Sequence, residues 1–361
     1  MHTNRLIQTV EAHTEGLPVR VVTGGVGAFP GSTMAERRDW FIENSDDLRT
    51  FLMCEPRGNG WLSGAILQPP TRDDADWGVL FIEVTGVLPM CGAGTIAVAT
   101  VLVETGMVAV TSQVTRVRLD TPIGLITAEV AVQNGQAESV TIVNVPSYAH
   151  ALDQIVEVPG RGELSCDIGF GGNFYAFVNA AEVGTAGVAG TSSTGIPFDR
   201  DRSEDFIAAG RDIMAAVNEQ MEPVHPVTGY RGCEHVVFLA PTAAEGATAA
   251  EATTAAESTA TSAADARHVL INAPGWLDRS PGGTGTSALM AVHHARGELG
   301  LNADFVNEFF IGTSFTGRLV EETDVGGHTA VIPTITGRSW LTGTAQYTLD
   351  PTDPFPHGFV L

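Results

Sequence analysis

The chain has 361 residues, 43% of them hydrophobic and 17% charged, enough to bury a large core and better suited to two domains than one. With 42 Asp and Glu against 19 Lys and Arg its net charge is −23, and a surface of that sign repels nucleic acid and anionic membrane, so neither is expected as a partner. The four cysteines, Cys54, Cys91, Cys166 and Cys233, are far apart and form no C-x-x-C, which indicates neither a zinc site nor a disulfide framework and fits a reducing cytoplasm.

The N-terminal residues enter a strand-like pattern directly, without the long apolar core of a signal peptide, and no apolar run approaches membrane-spanning length. Residues 5 to 28 read as a strand, a turn at Glu15-Gly16-Leu17-Pro18 and a second strand through Val22, with His13 just before the turn. Residues 34 to 53 are charged with helical spacing. From Ser63 to Val87 the pattern is strand-like, clearest over Gly78–Val84.

There follows Pro89-Met90-Cys91-Gly92-Ala93-Gly94-Thr95, which reads as a cysteine presented at a helix start. Gly92 and Gly94 allow a tight turn, Thr95 is expected to cap, and Gly106 stands where a helix end wants a left-handed residue. Between them Ile96 to Val103 is apolar on nearly every side, so the helix should lie inside its domain. A thiol at such a start sits among unpaired N–H groups and the positive end of the helix dipole, which favours the thiolate; the same N–H groups can bind a carboxylate. The alternative reading of this stretch alone is a small buried Cys that happens to precede a helix.

After Gly106 the pattern returns to strands, Val114–Leu119, Gly124–Val132 and Ser139–Val145, between turns such as Asn134-Gly135. In Ile168–Val178, Gly171 and Gly172 beside aromatics suggest a β-bulge with close backbone approach. Glu204–Glu219 looks like an amphipathic surface helix. Pro241–Ala266 is nearly all Ala, Thr, Glu, Ser and Gly and reads as an enlarged loop without catalytic role. A second glycine-rich helix start, Ser280 to Ala288, matches the first when Gly282 is set over Cys91, which suggests a duplicated unit. His293-His294 lies on the following helix, and adjacent helical residues diverge by about 100°, so a structural role is favoured over a metal site. The remaining stretch, Ala330–Tyr347, is strand-rich.

Met90-Cys91-Gly92-x-Gly94-Thr95 together with Asp278-Arg279-Ser280-Pro281-x-Gly283-Thr284-Gly285-Thr286 resembles the proline racemase family, which includes hydroxyproline epimerases and trans-3-hydroxyproline dehydratases. His13-Thr14-x-Gly16-x-Pro18-x-Arg20, Gly171-Gly172-Asn173-Phe174-Tyr175-Ala176, Phe315-Thr316-Gly317-Arg318 and Ile335-Thr336-Gly337-Arg338 look like its other signatures. The resemblance implies an α+β fold of two pseudo-symmetric domains, each a curved, mostly antiparallel sheet around a buried helix, similar to diaminopimelate epimerase, with the active site in the interdomain cleft. The expected domains are 1–150, carrying Cys91 and rejoined by 335–361, and 151–334, carrying Asp278 and Gly282.

The family places one thiol on each side of the substrate's Cα. Cys91 matches the first; Gly282 occupies the second position, and Ala93 stands where a His is usual. The expectation is therefore cofactor-independent removal of the α-proton of proline, a hydroxyproline or a related cyclic imino acid by Cys91 alone. The carboxylate would lie on backbone N–H groups of Gly92, Ala93, Gly94 and Thr95 and of Gly282, Gly283, Thr284 and Gly285; Asp278 would hold the ring nitrogen, with His13 and Phe174 also at the substrate. A single thiol leads first to dehydration, with a racemase or epimerase using another proton donor and a non-catalytic binder as alternatives. No metal or cofactor is called for, and a homodimer is left open.

Overall fold

The computed structural model describes residues 5–184, 195–240 and 264–360; the low-complexity stretch falls, over 241–263, outside the described residues. The chain divides into two compact units, Met1–Val143 with Thr336–Leu361, and Asn144–Ile335.

The first unit opens with a hairpin of β1 (Arg5–Thr14) and β2 (Leu17–Gly24). Its turn holds Glu15 and Gly16 at φ +48° and +109°. The charged stretch that follows is two helices, α1 (Met34–Asn44) and α2 (Asp46–Met53). They are parted at Ser45, whose N–H closes α1 on Phe41 O at 2.8 Å. β3 (Ser63–Gln68) runs parallel to β2 and antiparallel to β4 (Trp77–Glu83). The short β5 (Val87–Leu88) then delivers the chain to α3 (Gly92–Glu104). A meander of β6 (Val114–Thr121), β7 (Gly124–Gln133) and β8 (Gln136–Val143) completes this stretch.

α3 is buried from Gly92 to Val103, lying against β1, β2 and β8. Having no polar face, it has no side to offer to water, and full burial of Ile96, Val98, Val101 and Leu102 contributes about 1.5–3 kcal/mol each. It stops where Gly106 takes φ +73°, as its sequence position predicts. α1 and α2 cover β4 with a second cluster built on Phe41, Phe51, Leu52, Leu80 and Ile82.

In the second unit β9 (Ser147–Val158), β10 (Gly162–Phe170) and β11 (Phe174–Asn179) run antiparallel in turn. Gly171 and Gly172 are not a bulge: Phe170 pairs directly with Phe174, so the two glycines and Asn173 form the hairpin turn. α4 (Ser203–Gln220) packs on β12 (Cys233–Leu239), which is parallel to β11 and antiparallel to β13 (Ala266–Asn272). After β14 (Trp276–Leu277) comes α5 (Gly283–Ala295), buried from Gly285 through Val292 against β9 and β10. β15 (Asp304–Phe309), β16 (Ser314–Val325) and β17 (His328–Gly337) follow. The last strand, β18 (Ser339–Leu349), pairs antiparallel with β1, Arg5 facing Leu349 and Thr14 facing Ser339.

Candidate active site

At the head of α3 the backbone of Cys91 is extended, φ −140° and ψ 116°, and its Sγ accepts the N–H of Gly94 at 3.3 Å. The sulfur is therefore the cap. Thr95, expected in that role, is already helical and turns its hydroxyl back to Cys91 O at 2.8 Å, because a residue four positions into the turn faces the preceding carbonyl rather than the free N–H groups. Gly94 has no room for a side chain: a Cβ there would lie 3.0 Å from the Phe81 ring and 3.2 Å from Cys91 Sγ.

Cys91 is half-buried, whereas Cys54, Cys166 and Cys233 are buried. Burial pushes the thiols of Cys233 and Cys166 up to about 11 and about 12 and raises that of Cys54, so these three stay protonated at neutral pH. Cys91 alone combines access with a helix N-terminus, the setting that favours a thiolate.

Strands hold this turn from two sides. Thr14, at the end of β1, donates to Ala93 O at 2.9 Å. His13 stacks on Trp340, ring centroids 5.0 Å apart, and its Nδ1 accepts Gly16 N–H at 3.2 Å; burial lowers its pKa, so the ring is neutral and built into the β1–β2 turn. Beside it Glu15 accepts the N–H of Arg338 at 2.9 Å, and burial pushes its carboxyl up to about 7 against the opposing pull of Arg338. From β3, Ser63 Oγ lies 3.8 Å from Cys91 Sγ and donates to Glu83 Oε1 at 3.1 Å.

In the second unit Asp278 lies between β14 and α5. Its Oδ1 accepts Arg279 N–H at 2.6 Å and Ser280 N–H at 3.0 Å, and its Oδ2 accepts Asn272 Nδ2 at 3.1 Å. Asn272 is held in turn by His235 Nδ1 at 2.8 Å. Since the Asn272 amide gives a proton to Asp278, its oxygen faces His235, which must carry its proton on Nδ1. His235 stacks on Tyr175 at 4.6 Å, and burial lowers its pKa. Tyr175 OH reaches Thr284 Oγ1 at 2.6 Å. Gly282 is the N-cap of α5 with φ +69° and supplies no side-chain bond. Gly171 packs so close beneath this turn that a Cβ on it would sit 2.2 Å from Thr284 O.

Of the residues singled out from sequence, Cys91, Gly92, Ala93, Gly94 and Thr95 form one turn, with His13 one residue from the threonine that grips it. Asp278, Gly282, Gly283, Thr284 and Gly285 form the other. Phe174 joins neither: it is wholly buried, stacked on Tyr230 and edge-on to Phe170, and the next residue, Tyr175, is the one that meets the turn. Sequence reading missed Ser63, Glu83, Tyr175, His235 and Asn272. The only signal, and for Tyr175 alone, was the aromatic motif that adjoins Phe174. His293 and His294 bind Glu298 at 2.7 Å and Glu322 at 3.0 Å, and among the described residues no group of three or more His, Cys, Asp or Glu is placed to hold a metal. Among those residues, too, no helix is long and apolar enough to cross a membrane.

The sequence model of the family described as proline racemase matches residues 9–360. The 4-hydroxyproline 2-epimerase of Streptosporangium roseum is 58% identical over 362 residues, covering 100% of both chains. The proline racemase of Clostridioides difficile is 37% identical over 363 residues, again covering 100% of both. Among solved structures, a hydroxyproline epimerase from Agrobacterium vitis with bound trans-4-OH-L-proline superposes with a TM-score of 0.82 at 32% identity, over 100% of this chain and 96% of that one.

Proposed function

The chain belongs to the proline racemase family, and from that premise we propose that it is a cofactor-independent isomerase inverting C2 of 4-hydroxyproline or a closely similar cyclic imino acid. The observation that carries the chemistry is Cys91, a half-buried thiol capping α3 with its sulfur on the Gly94 N–H. Its thiolate takes the α-proton. Backbone N–H groups of Gly92 and Ala93 and of Gly283, Thr284 and Gly285 receive the carboxylate and the charge that grows on it as the proton leaves, whereas those of Gly94, Thr95 and Thr286 are already given to Cys91 Sγ, Cys91 O and Gly282 O. Asp278, held by three N–H donors that fix its orientation, takes the positive ring nitrogen. Phe174 supports Tyr175 from the core rather than touching substrate, and His13 acts through the turn it builds. The two halves, each with one buried helix headed by a glycine turn, are read as a duplicated, pseudo-symmetric pair.

The relatives named as epimerases, at 58% and 32% identity, move inversion ahead of the dehydration expected from sequence. One observation keeps dehydration as the second reading: Gly282 has no side chain from which to return a proton. Inversion then draws its second proton from water or from another group. The test is incubation in D2O with free proline and with the 3- and 4-hydroxyprolines of each configuration, followed by NMR. Deuterium at Cα with inversion of 4-hydroxyproline is expected. Loss of water from 3-hydroxyproline without inversion would establish the lyase, and ligand binding without exchange would make the protein a binder.

A further inference from the structure

Ser63 and Glu83 face each other as a cross-strand pair on β3 and β4, twenty residues apart in the chain and directly behind Cys91. Ser63 is buried, 3% exposed, while Glu83 is half-buried at the end of β4 and so connects inward to the serine and outward to solvent. A serine hydroxyl has one proton to give. Here it goes to Glu83 Oε1 at 3.1 Å, which leaves the Ser63 oxygen, 3.8 Å from Cys91 Sγ, as an acceptor for the sulfur once that sulfur is protonated.

From this geometry we propose that Ser63 and Glu83 are the proton outlet of Cys91, a role that rests on the reading of Cys91 as the α-proton base. Once the sulfur has taken the α-proton, its S–H bond breaks as a new O–H bond forms on Ser63 Oγ, while the proton already on Ser63 passes to Glu83 Oε1. Sulfur returns to thiolate, serine is unchanged, and Glu83 is left as a carboxylic acid that yields its proton to water. One proton enters the relay and one leaves it. The outlet lets a single thiol exchange what it abstracts with solvent instead of handing it back to the same carbon. Among the charged groups near the pair, Arg49 of α2, itself paired with Asp46, binds the backbone carbonyl of Glu83 at 2.9 Å; the first turn of α3 has no acidic residue, and Thr14, which grips Ala93 O from the end of β1, is flanked by His13 and by Glu15 of the β1–β2 turn.

Ser63 and Glu83 are positioning residues, and two readouts separate the relay from a merely structural part. The first is substrate exchange in D2O. Ser63→Ala and Glu83→Gln should each slow α-deuteration about tenfold with KM little changed, and Ser63→Thr, which keeps the hydroxyl, should restore most of it. The second needs no substrate: the pH profile of Cys91 alkylation by iodoacetamide in the intact protein, where the other cysteines are buried. Glu83→Gln removes a negative charge coupled to the thiolate and should shift the profile to lower pH. In a Ser63→Ala background the same change should shift it less than half as far, because the coupling runs through the hydroxyl. Equal shifts in both backgrounds, or α-exchange in Ser63→Ala at the wild-type rate, would overturn the relay. If the wild type exchanges no imino acid, the enzymatic reading fails by itself, and the alkylation cycle still decides whether the three groups are coupled.

Discussion

Two helix starts with the same glycine spacing are built for different work. At α3 the capping position carries a side chain, the one we propose as the base: Cys91 Sγ replaces a serine or aspartate oxygen as the acceptor of a first-turn N–H. At α5 the capping position is a glycine at φ +69° that leaves the turn bare, and polar groups crowd around it instead. Tyr175 fastens Thr284, Ser280 and Arg279 fasten Asp278, and His235 fastens Asn272 behind it. Near Cys91, Ser63 stands 3.8 Å from the sulfur and Thr14 fastens Ala93, two residues on. A helix N-terminus is a generic anion site; what it presents is set by one residue at the cap and by which strands lie beneath.

The comparison breaks most completely at its reactive end. Cys91→Ala should reduce α-proton exchange, followed by NMR in D2O, by at least about 10²-fold and as much as 10⁴-fold, the range over which a positioned base acts. The loss of the cap costs about 1 kcal/mol of stability, so circular dichroism and the melting cooperativity should be preserved. Exchange retained in the folded variant would place the base elsewhere. At the receiving end the sensitive residue is Gly171. A methyl there would meet Thr284 O at 2.2 Å and Ala288 N at 2.7 Å, both backbone atoms that move only with the helix. Gly171→Ala should therefore destabilise by about 1–3 kcal/mol, seen as a lower denaturant midpoint, and should weaken substrate binding while leaving Cys91 alkylation unchanged. A variant as stable as wild type would mean that the α5 turn yields more easily than its packing indicates.

How far each end could be read in advance follows from how local its determinants are. α3 was legible except for its cap, which is Cys91 and not Thr95: an all-apolar run has one place to go, and Gly106 marks its end by itself. The two glycine turns and Asp278 were legible as motifs. What sits behind them was not. Ser63 and Glu83 meet because β3 and β4 pair in one particular register, and a slip of one residue would turn both away. His235, Asn272 and Tyr175 come from β12, β13 and β11, brought side by side by one parallel and one antiparallel pairing that no local pattern encodes. The misreadings are of the same kind. Gly171-Gly172 suits a bulge and a hairpin turn equally until the pairing of Phe170 with Phe174 decides it. Residues 34–53, whose helical spacing was legible, divide at Ser45, where two aspartates occupy the first turn of α2.

The smallest expected effect tests the comparison most directly, by giving the second turn what the first has. Gly282→Cys puts a side chain on a backbone at φ +69°, a conformation that L-residues seldom adopt, and its Cβ would lie 2.8 Å from Leu270 Cδ2. The obstacle is the end of a flexible side chain rather than backbone, so Leu270 can turn aside, and the cost in stability should be about 1–3 kcal/mol, nearly all of it backbone strain. A thermal melt in which Gly282→Ala loses as much as Gly282→Cys would assign that cost to φ rather than to sulfur. The activity outcome then divides the two mechanisms. If return of the second proton limits the wild type, the added thiol should raise the rate of C2 inversion of 4-hydroxyproline relative to the rate of α-deuteration. Adding Ala93→His should raise it further by placing an imidazole beside Cys91. If inversion and deuteration already run together in the wild type, and the ratio is the same in Gly282→Cys, then another group returns the second proton, and the bare glycine at the head of α5 serves only to admit the substrate's carboxylate to the N–H groups behind it.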